Sequence, residues 1–293
     1  MRLVVTGASS FVGAWFSQIA AQRGHEVIGL AYETSLRLPG VRTLRLNLGA
    51  ADAAGQLAAL RPDAVVHLAC KVMGSGPAGG PETAATRLNR RMMDQVLAVG
   101  APILYGSSTC VHWPKDTAYA QSRREDEARL AASGLPWAAL RPSAPYGPAL
   151  PGHQPRHPES FHSLARWVRR GVVPVPGDGR ALRQPIHVED FSLAALALIE
   201  AGLPNEALDA GGPEALPFNT IIDVLARAMG RRRVQKVHLP LGLLVRVARR
   251  LPGFEPALLA AADCDDPADP TRLVHLSGVA PRRFEDGARS LVG

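Results

Sequence analysis

The chain is short of lysine, cysteine and aromatic residues, and each shortage excludes something. Lys71, Lys115 and Lys236 are its only lysines, against 30 arginines in 293 residues, so guanidinium groups carry almost all of the formal charge of +7. Such Ala-, Arg- and Pro-rich usage has the look of genomic base bias, under which a single Arg-for-Lys exchange says little by itself. Cys70, Cys110 and Cys264 are too few and too widely spaced for a disulfide framework or a zinc spacing. That fits a reducing compartment and predicts a cytoplasmic protein. Aromatic residues make up 5% and the arginines are scattered along the chain, so no nucleic-acid partner is expected. No apolar run approaches the ~18 residues that a membrane span needs, so no membrane partner is expected either. A strand-like run from Arg2 leaves no room for a signal peptide.

What remains is ordinary globular material, 46% hydrophobic and 20% charged, with a positive balance suited to phosphate-bearing ligands. Short apolar runs at residues 3–6, 26–30, 43–46, 64–68, 103–105 and 137–140 alternate with helical patterns at 11–23, 51–60, 83–99 and 122–133. This alternation predicts an α/β protein with a parallel sheet covered on both faces. Beyond residue 145 the pattern changes. Residues 142–158 are rich in Pro, Gly and His and read as loop, followed by a helix at 159–170 and a loop at 174–179. Strand-like 184–188 and 208–210 flank a helix at 188–201, and helices at 218–229 and 241–250 precede an irregular tail.

The most informative stretch runs Val4-Val5-Thr6-Gly7-Ala8-Ser9-Ser10-Phe11-Val12-Gly13, straight from the first strand into the first helix. A tight turn of small residues there lets backbone N–H groups meet a pyrophosphate at the helix N-terminus. Gly7 permits the turn and Gly13 permits close packing of helix on strand. Ser10 stands where the usual middle glycine would be.

This loop resembles the Thr-Gly-x-x-Gly-[Phe/Met]-[Ile/Val]-Gly opening of the extended short-chain dehydrogenase/reductase family, in its NAD-dependent epimerase/dehydratase branch. Further motifs follow in the family's order. They are His67-Leu68-Ala69-Cys70, Ser107-Ser108-Thr109, Tyr119 with Arg123 four residues on, Arg141-Pro142, and Tyr146-Gly147-Pro148. Gly177-Asp178-Gly179, then Arg183, then Ile186-His187-Val188-Glu189-Asp190 continue the series, with weaker matches at Ala210-Gly211-Gly212 and Val279-Ala280-Pro281-Arg282. The resemblance implies a doubly wound Rossmann sheet over 1–145, rejoined by 184–212. It implies a smaller, mostly helical substrate lobe formed by 146–183 and 213–293.

It also implies roles. Tyr119 would be the general acid/base and Ser108 would hydrogen-bond the reacting oxygen, with Thr109 the near alternative. Arg123 stands in place of the family's lysine. Four residues from Tyr119 on one helix, it would share that residue's face and supply positive charge, but arginine does not relay a proton. Three readings stay open for it: modified catalysis, loss of redox turnover, or an ammonium supplied instead by Lys71, whose other roles are phosphate contact and a solvated loop position. Asn89 sits where the family often has an asparagine ordering the catalytic relay, though Arg90 and Arg91 depart from the small residues that follow it there. His112 and Trp113 stand where the family commonly has Tyr-Gly, and their bulk would reshape the pocket mouth.

The cofactor implied is NAD or NADP, cradled by Gly7, Ser9, Ser10, Phe11, Val12, Gly13, Tyr32, Asn47, Leu48, Leu68, Ala69, Cys70, Lys71 and Pro142, together with Tyr119 and Arg123. Tyr32 holds the usual discriminating position, Glu33 beside it tips the balance to NAD, and Arg37 is the candidate for a phosphate. Asn47 would hydrogen-bond the adenine edge. Substrate contacts would come from Ser108, Thr109, Tyr146 and Arg183, the last gripping a diphosphate through its fork. His153, His157 and His162 have no accompanying carboxylate, so no metal is expected. The expectation is a redox enzyme, an epimerase, dehydratase or reductase, acting on a phosphate-bearing small molecule such as a nucleotide sugar, and a homodimer paired through the helices at 83–99 and 122–133. Two alternatives are a dinucleotide-binding protein without turnover and a reductase of a non-sugar ketone or aldehyde.

Overall fold

A computed structural model describes residues 1–72, 83–153, 155, 160–249, 259 and 261–292. In the first half β1 (Arg2–Thr6), α1 (Phe11–Gln22), β2 (Glu26–Ala31), β3 (Val41–Arg45), α2 (Ala53–Ala59) and β4 (Ala64–His67) lead to α3 (Ala84–Leu97). Then come β5 (Ile103–Gly106), a 3-10 turn over Thr109–His112, α4 (Ala118–Ala131) and β6 (Trp137–Pro142). The second half holds β7 (Pro145–Tyr146), α5 (Ser160–Arg170), β8 (Val172–Pro176), β9 (Leu182–Arg183), β10 (Ile186–His187), α6 (Val188–Glu200) and β11 (Glu206–Ala210). It continues with β12 (Leu216–Pro217), α7 (Phe218–Ala228), β13 (Gln235–Leu239), α8 (Leu241–Ala248), α9 (Thr271–Ser277) and α10 (Phe284–Gly287).

Seven strands form one sheet in the order β11-β6-β5-β4-β1-β2-β3, with every pairing parallel. This is the doubly wound Rossmann arrangement, and its order reverses between β1 and β4, where such sheets open a crevice for ligands. The central strands β1, β4 and β5 are almost wholly apolar and buried because both faces are covered, while the edge strands β3 and β11 carry charged residues. Leu3 and Val5 point into a core shared with α1 and α6, while Val4 between them points into a second core with Met92, Met93 and Leu130 from α3 and α4. Among the described residues no helix is long and apolar enough to cross a membrane.

A third core lies outside the sheet, where Phe161, Leu164 and Val168 of α5 meet Ile221 and Leu225 of α7, with Tyr146 and Phe284. This part is less helical than its sequence suggests. Residues 174–179 read as a loop, yet Val172–Pro176 forms β8, paired in parallel with β13, a strand the sequence does not announce. Prolines at 174 and 176 look like breakers, but a two-stranded ribbon leaves one edge of each strand with no ladder bond to donate. A further departure matters to the site. The fourth helix begins at Ala118 rather than near 122, because the Thr117 hydroxyl caps it by accepting the Ala120 N–H at 3.1 Å. Tyr119 therefore sits in its first turn.

The first turn of the fold is closed by contact of backbone on backbone. Gly7 has φ +66°, and a Cβ there would come within 2.6 Å of the Ala69 nitrogen; one on Gly13 would lie 2.3 Å from the Gly7 carbonyl oxygen. Gly13→Ala is therefore expected to destabilise the protein by about 3 kcal/mol in urea unfolding, at the upper end for overpacking. Gly55→Ala, in α2 with open space around it, is expected to stabilise by about 0.5–1 kcal/mol.

Candidate active site

At the reversal point a cleft of about 330 Å³ runs along the ends of β1, β2 and β4. Gly7, Ser9, Ser10 and Phe11 line its floor, Tyr32, Asn47 and Leu48 one end, and Leu68, Ala69, Cys70 and Lys71 the other wall. Ser10 proves to be the N-cap of α1, its Oγ accepting the Gly13 N–H at 3.0 Å. The hydroxyl thus takes up one orphan donor of the helix, and the N–H groups of Phe11 and Val12 are the ones without an intrahelical acceptor. Val12 itself and Gly13 lie behind the lined surface, Gly13 buried against Gly7. Leu88 and Met92 of α3, not expected from sequence, complete the far wall.

At the open end Tyr32 is 48% exposed, and the Arg45 guanidinium stands 5.7 Å from its ring centroid. The register of β2 on β3 sets Arg45 opposite Ala31, so a cation not expected from the sequence stands beside Tyr32, the discriminating position. Asn47 spends its side-chain oxygen on the Gly49 N–H at 2.9 Å. Asn89 clamps the wall from α3, donating to the Lys71 carbonyl at 2.9 Å and accepting the Lys71 N–H at 2.8 Å.

Tyr119 and Ser108, both half-buried, lie beyond Cys70 and outside the lining of this cleft. The Tyr119 side chain is a neighbour of the Ser108 and Cys70 side chains, and Cys70 is also a neighbour of Asn89. Burial first, and then the neighbouring Cys70, push the Tyr119 phenol well above its ordinary value. Burial likewise raises the Cys70 thiol.

Arg123 corrects one expectation. It does share the Tyr119 face of α4, but it is 2% exposed and, like Tyr119, absent from the cleft lining, so its fork lies against the protein rather than in the cleft. Its guanidinium lies 5.3 Å from the Tyr119 ring centroid and 5.2 Å from that of Tyr105, and 3.3 Å from Asp126 Oδ2. The Tyr105 hydroxyl donates to the same Asp126 oxygen at 2.8 Å, while Arg123 Nε has no hydrogen-bond partner among the described residues. Asp126, three residues after Arg123, was legible only as a helix-face neighbour once the arginine was known to be buried. His67 stacks on Tyr105 at 5.7 Å and shares a 2.7 Å hydrogen bond with Thr6.

Three substrate expectations also change. Thr109 is 1% exposed and donates to the Pro142 carbonyl at 3.3 Å, so it braces the turn and leaves Ser108 as the hydroxyl beside Tyr119. Pro142 does not line the cleft and serves as that acceptor. Tyr146 is wholly buried in the third core, against Phe161, His187 and Phe284, and offers nothing to a substrate. Arg183 donates to the carbonyls of Leu182 at 2.7 Å, Cys264 at 2.6 Å and Ala262 at 2.8 Å. Its fork fastens the 262–264 segment rather than standing ready for a diphosphate. Nearby, Asp266 accepts from Trp113 Nε1 at 2.7 Å and from Ser143 at 3.0 Å. His153 and His162 bond the Ser9 and Gly147 carbonyls respectively, and His157 lies outside the described residues.

A model of the NAD dependent epimerase/dehydratase family matches residues 3–211. The chain belongs to this family. Among its relatives, the dTDP-4-dehydro-6-deoxy-D-allose reductase of Streptomyces bikiniensis is 28% identical over 270 residues, 78% of this chain and 81% of that protein. The 2-alkyl-3-oxoalkanoate reductase of Stenotrophomonas maltophilia is 25% identical over 272 residues, covering 80% and 78%. In fold, the chain resembles the UDP-glucose 4-epimerase of Thermotoga maritima, solved with UDP-glucose, at a TM-score of 0.78 and 18% identity over 100% of this chain and 97% of that one. The UDP-glucuronic acid 4-epimerase of Bacillus cereus, solved with UDP-glucuronic acid and NAD, gives 0.76 and 20% over 100% and 98%.

One consequence of the buried network can be read in solution. Burial, and then the Arg123 charge, hold the His67 imidazole down to about 3. Between that value and 6.5 the unfolded chain binds a proton that the folded chain refuses, so stability falls on acidification, by about 1.4 kcal/mol per pH unit below 6.5 on this residue's account. Urea unfolding at pH 7.5, 6.0 and 5.0 should show that slope, and His67→Gln should remove it.

Proposed function

We propose that the protein is an NAD(P)-dependent reductase or epimerase acting on a nucleotide-linked sugar or a related hydroxyl or carbonyl compound. Tyr119 exchanges the proton and Ser108 holds the reacting oxygen. The observation that carries this reading is that Ser108 and Tyr119 neighbour Cys70, which itself lines the cleft.

The cleft suits a dinucleotide on the evidence of its own atoms. The turn at Gly7 has no space for a Cβ, and the free Phe11 and Val12 N–H groups at the start of α1 suit a pyrophosphate. Asn47 and Leu48 offer an edge and an apolar wall to an adenine, and Lys71 adds a charge to the rim. Glu33 favours the ribose hydroxyls of NAD, and Arg45 gives an NADP phosphate a partner, so both cofactors belong in a binding test. When bound, the cofactor supplies or accepts a hydride.

The chain's residues do the rest. A phenol held protonated by burial is a proton donor, and so suits reduction of a carbonyl whose oxygen Tyr119 reaches. Ser108 accepts the Cys110 N–H at 3.3 Å, which orients its own O–H toward Tyr119 and a substrate oxygen. Arg123 steadies the Tyr119 ring from beneath and adds positive charge there, without a route for protons to solvent.

A second reading, reduction of a non-sugar ketone, draws on Arg183. With its fork committed to three carbonyls, a diphosphate would have to displace those bonds. The names of the two reductases above, one of a nucleotide sugar and one of an oxoalkanoate, span both readings.

Tyr119→Phe is expected to lower kcat on a reducible carbonyl by about 10²–10⁴-fold while leaving NAD and NADP affinity within threefold, measured by fluorescence titration and steady-state assay. Unchanged turnover in that variant would sink the assigned role. A wild-type chain that binds cofactor and turns over neither a nucleotide-sugar ketone nor a 3-oxoalkanoate would make it a binding protein instead.

A further inference from the structure

Folding gathers arginines that the linear sequence scatters. Residues 160–177 and 224–240 contain no aspartate or glutamate, yet hold seven arginines and a lysine. Pairing of β8 with β13 sets Val172 opposite Gln235, and the Gln235 N–H donates to the Gly171 carbonyl at 2.9 Å. The Arg231 guanidinium donates to the Arg169 carbonyl, so the end of α5 and the loop before β13 make one surface. Arg166, Arg169, Arg170, Arg231, Arg232 and Arg233 are all exposed on it. Trp167 is 40% exposed among them, with the Arg170 guanidinium 5.0 Å from its ring centroid.

Ordinary structural needs do not account for this concentration. Cations do favour helix C-termini, and both α5 and α7 end here, but each end carries only about half a negative charge. Arg169 already donates to the Leu291 and Val292 carbonyls, which leaves five, and the two helix ends together offset about one charge of those five. Among the described residues no carboxylate pairs with Arg166, Arg170, Arg231, Arg232 or Arg233. Arg227 and Lys236 do have acidic partners, Glu285 and Asp223, which sets them apart from the patch.

We propose that this face binds single-stranded nucleic acid, with phosphates on the arginine forks and a base stacked on Trp167. Planar guanidinium groups bind phosphate in a bidentate manner, and an exposed indole offers a π-face to any base. A membrane surface fits less well. Trp167 and Val172 are the exposed large apolar residues of α5 and β8, the exposed Leu243 and Val247 lie on α8, which is outside the arginine cluster, and the apolar stripe of α5 is already buried in the third core. None of these residues lines the cofactor cleft, so the surface and the active site can be tested apart.

The test is fluorescence anisotropy with labelled 20-mers of oligo(U) and oligo(dT) across a range of KCl concentrations. Single strands give a log–log salt slope of about −0.7 per phosphate engaged, so a surface that holds four should show about −3. The triple variant Arg231→Gln, Arg232→Gln, Arg233→Gln should cut affinity more than tenfold and bring the slope to about −1, from the same constant. Trp167→Ala should cut affinity about tenfold with the slope unchanged, as loss of one stacking platform predicts. NAD affinity, unchanged in both variants, reports that they fold; if the triple variant does not, Trp167→Ala and Arg232→Gln decide. Failure of both oligonucleotides to bind overturns the proposal. So does binding that all the variants retain, and so does binding to phosphatidylserine-rich vesicles without binding to either strand.

Discussion

Everything in the cleft hangs on the approach of one stretch of backbone to another. The turn after β1 lies directly on the end of β4, with Gly7 against Ala69, and α1 lies directly on that turn, with Gly13 against the Gly7 carbonyl. No side chain intervenes at either contact. The crevice at the sheet's reversal point is therefore held to its width by atoms that have no rotamers, and the residues lining it inherit their positions from the two strands. Ser10 fits this arrangement without loosening it. Its hydroxyl caps α1, so the missing middle glycine trades backbone freedom for a better anchored helix.

Beneath Tyr119 lies a second constraint of a different kind. Arg123 is a buried cation, matched by Asp126 and flanked by two phenol rings. Such pairs gain little net stability, since removing either partner costs about 3–5 kcal/mol while forming the pair roughly repays desolvation. What the pair does is fix geometry. Tyr105 bonds Asp126, Asp126 holds Arg123, and Arg123 packs against the Tyr119 ring. The lysine expected at this position would touch a cofactor; the arginine found there touches the protein.

Much of the fold was legible because parallel strands buried on both faces must be continuously apolar. Runs such as Leu3-Val4-Val5 admit few other readings. The glycine turn was legible for a related reason, since Gly7 and Gly13 mark places where only hydrogen fits. Strand β13 was not legible, because Gln235-Lys236-Val237-His238 is half-exposed and its partner is punctuated by prolines. Within the site, Tyr119, Ser108 and Cys70 were placed by motif order and do come together. Motif order set Arg123, Thr109, Tyr146 and Arg183 beside a ligand, whereas their contacts in the structure are with the protein itself. Motif spacing carries which residue recurs, but burial and hydrogen-bond partners depend on segments far away in the chain, as with Arg183 and the carbonyls at 262 and 264.

That last contact changes how the mouth of the site should be viewed. Arg183 fastens the 262–264 segment by its carbonyls, and Asp266 next to it ties Trp113 from the strand side and Ser143 from the sheet's edge. Main-chain carbonyls are the same whatever side chain they bear. The attachment of this segment therefore does not depend on the side chains it carries, and the half-buried Ala262 can be exchanged without loosening it, whereas Cys264 is also held by its own burial.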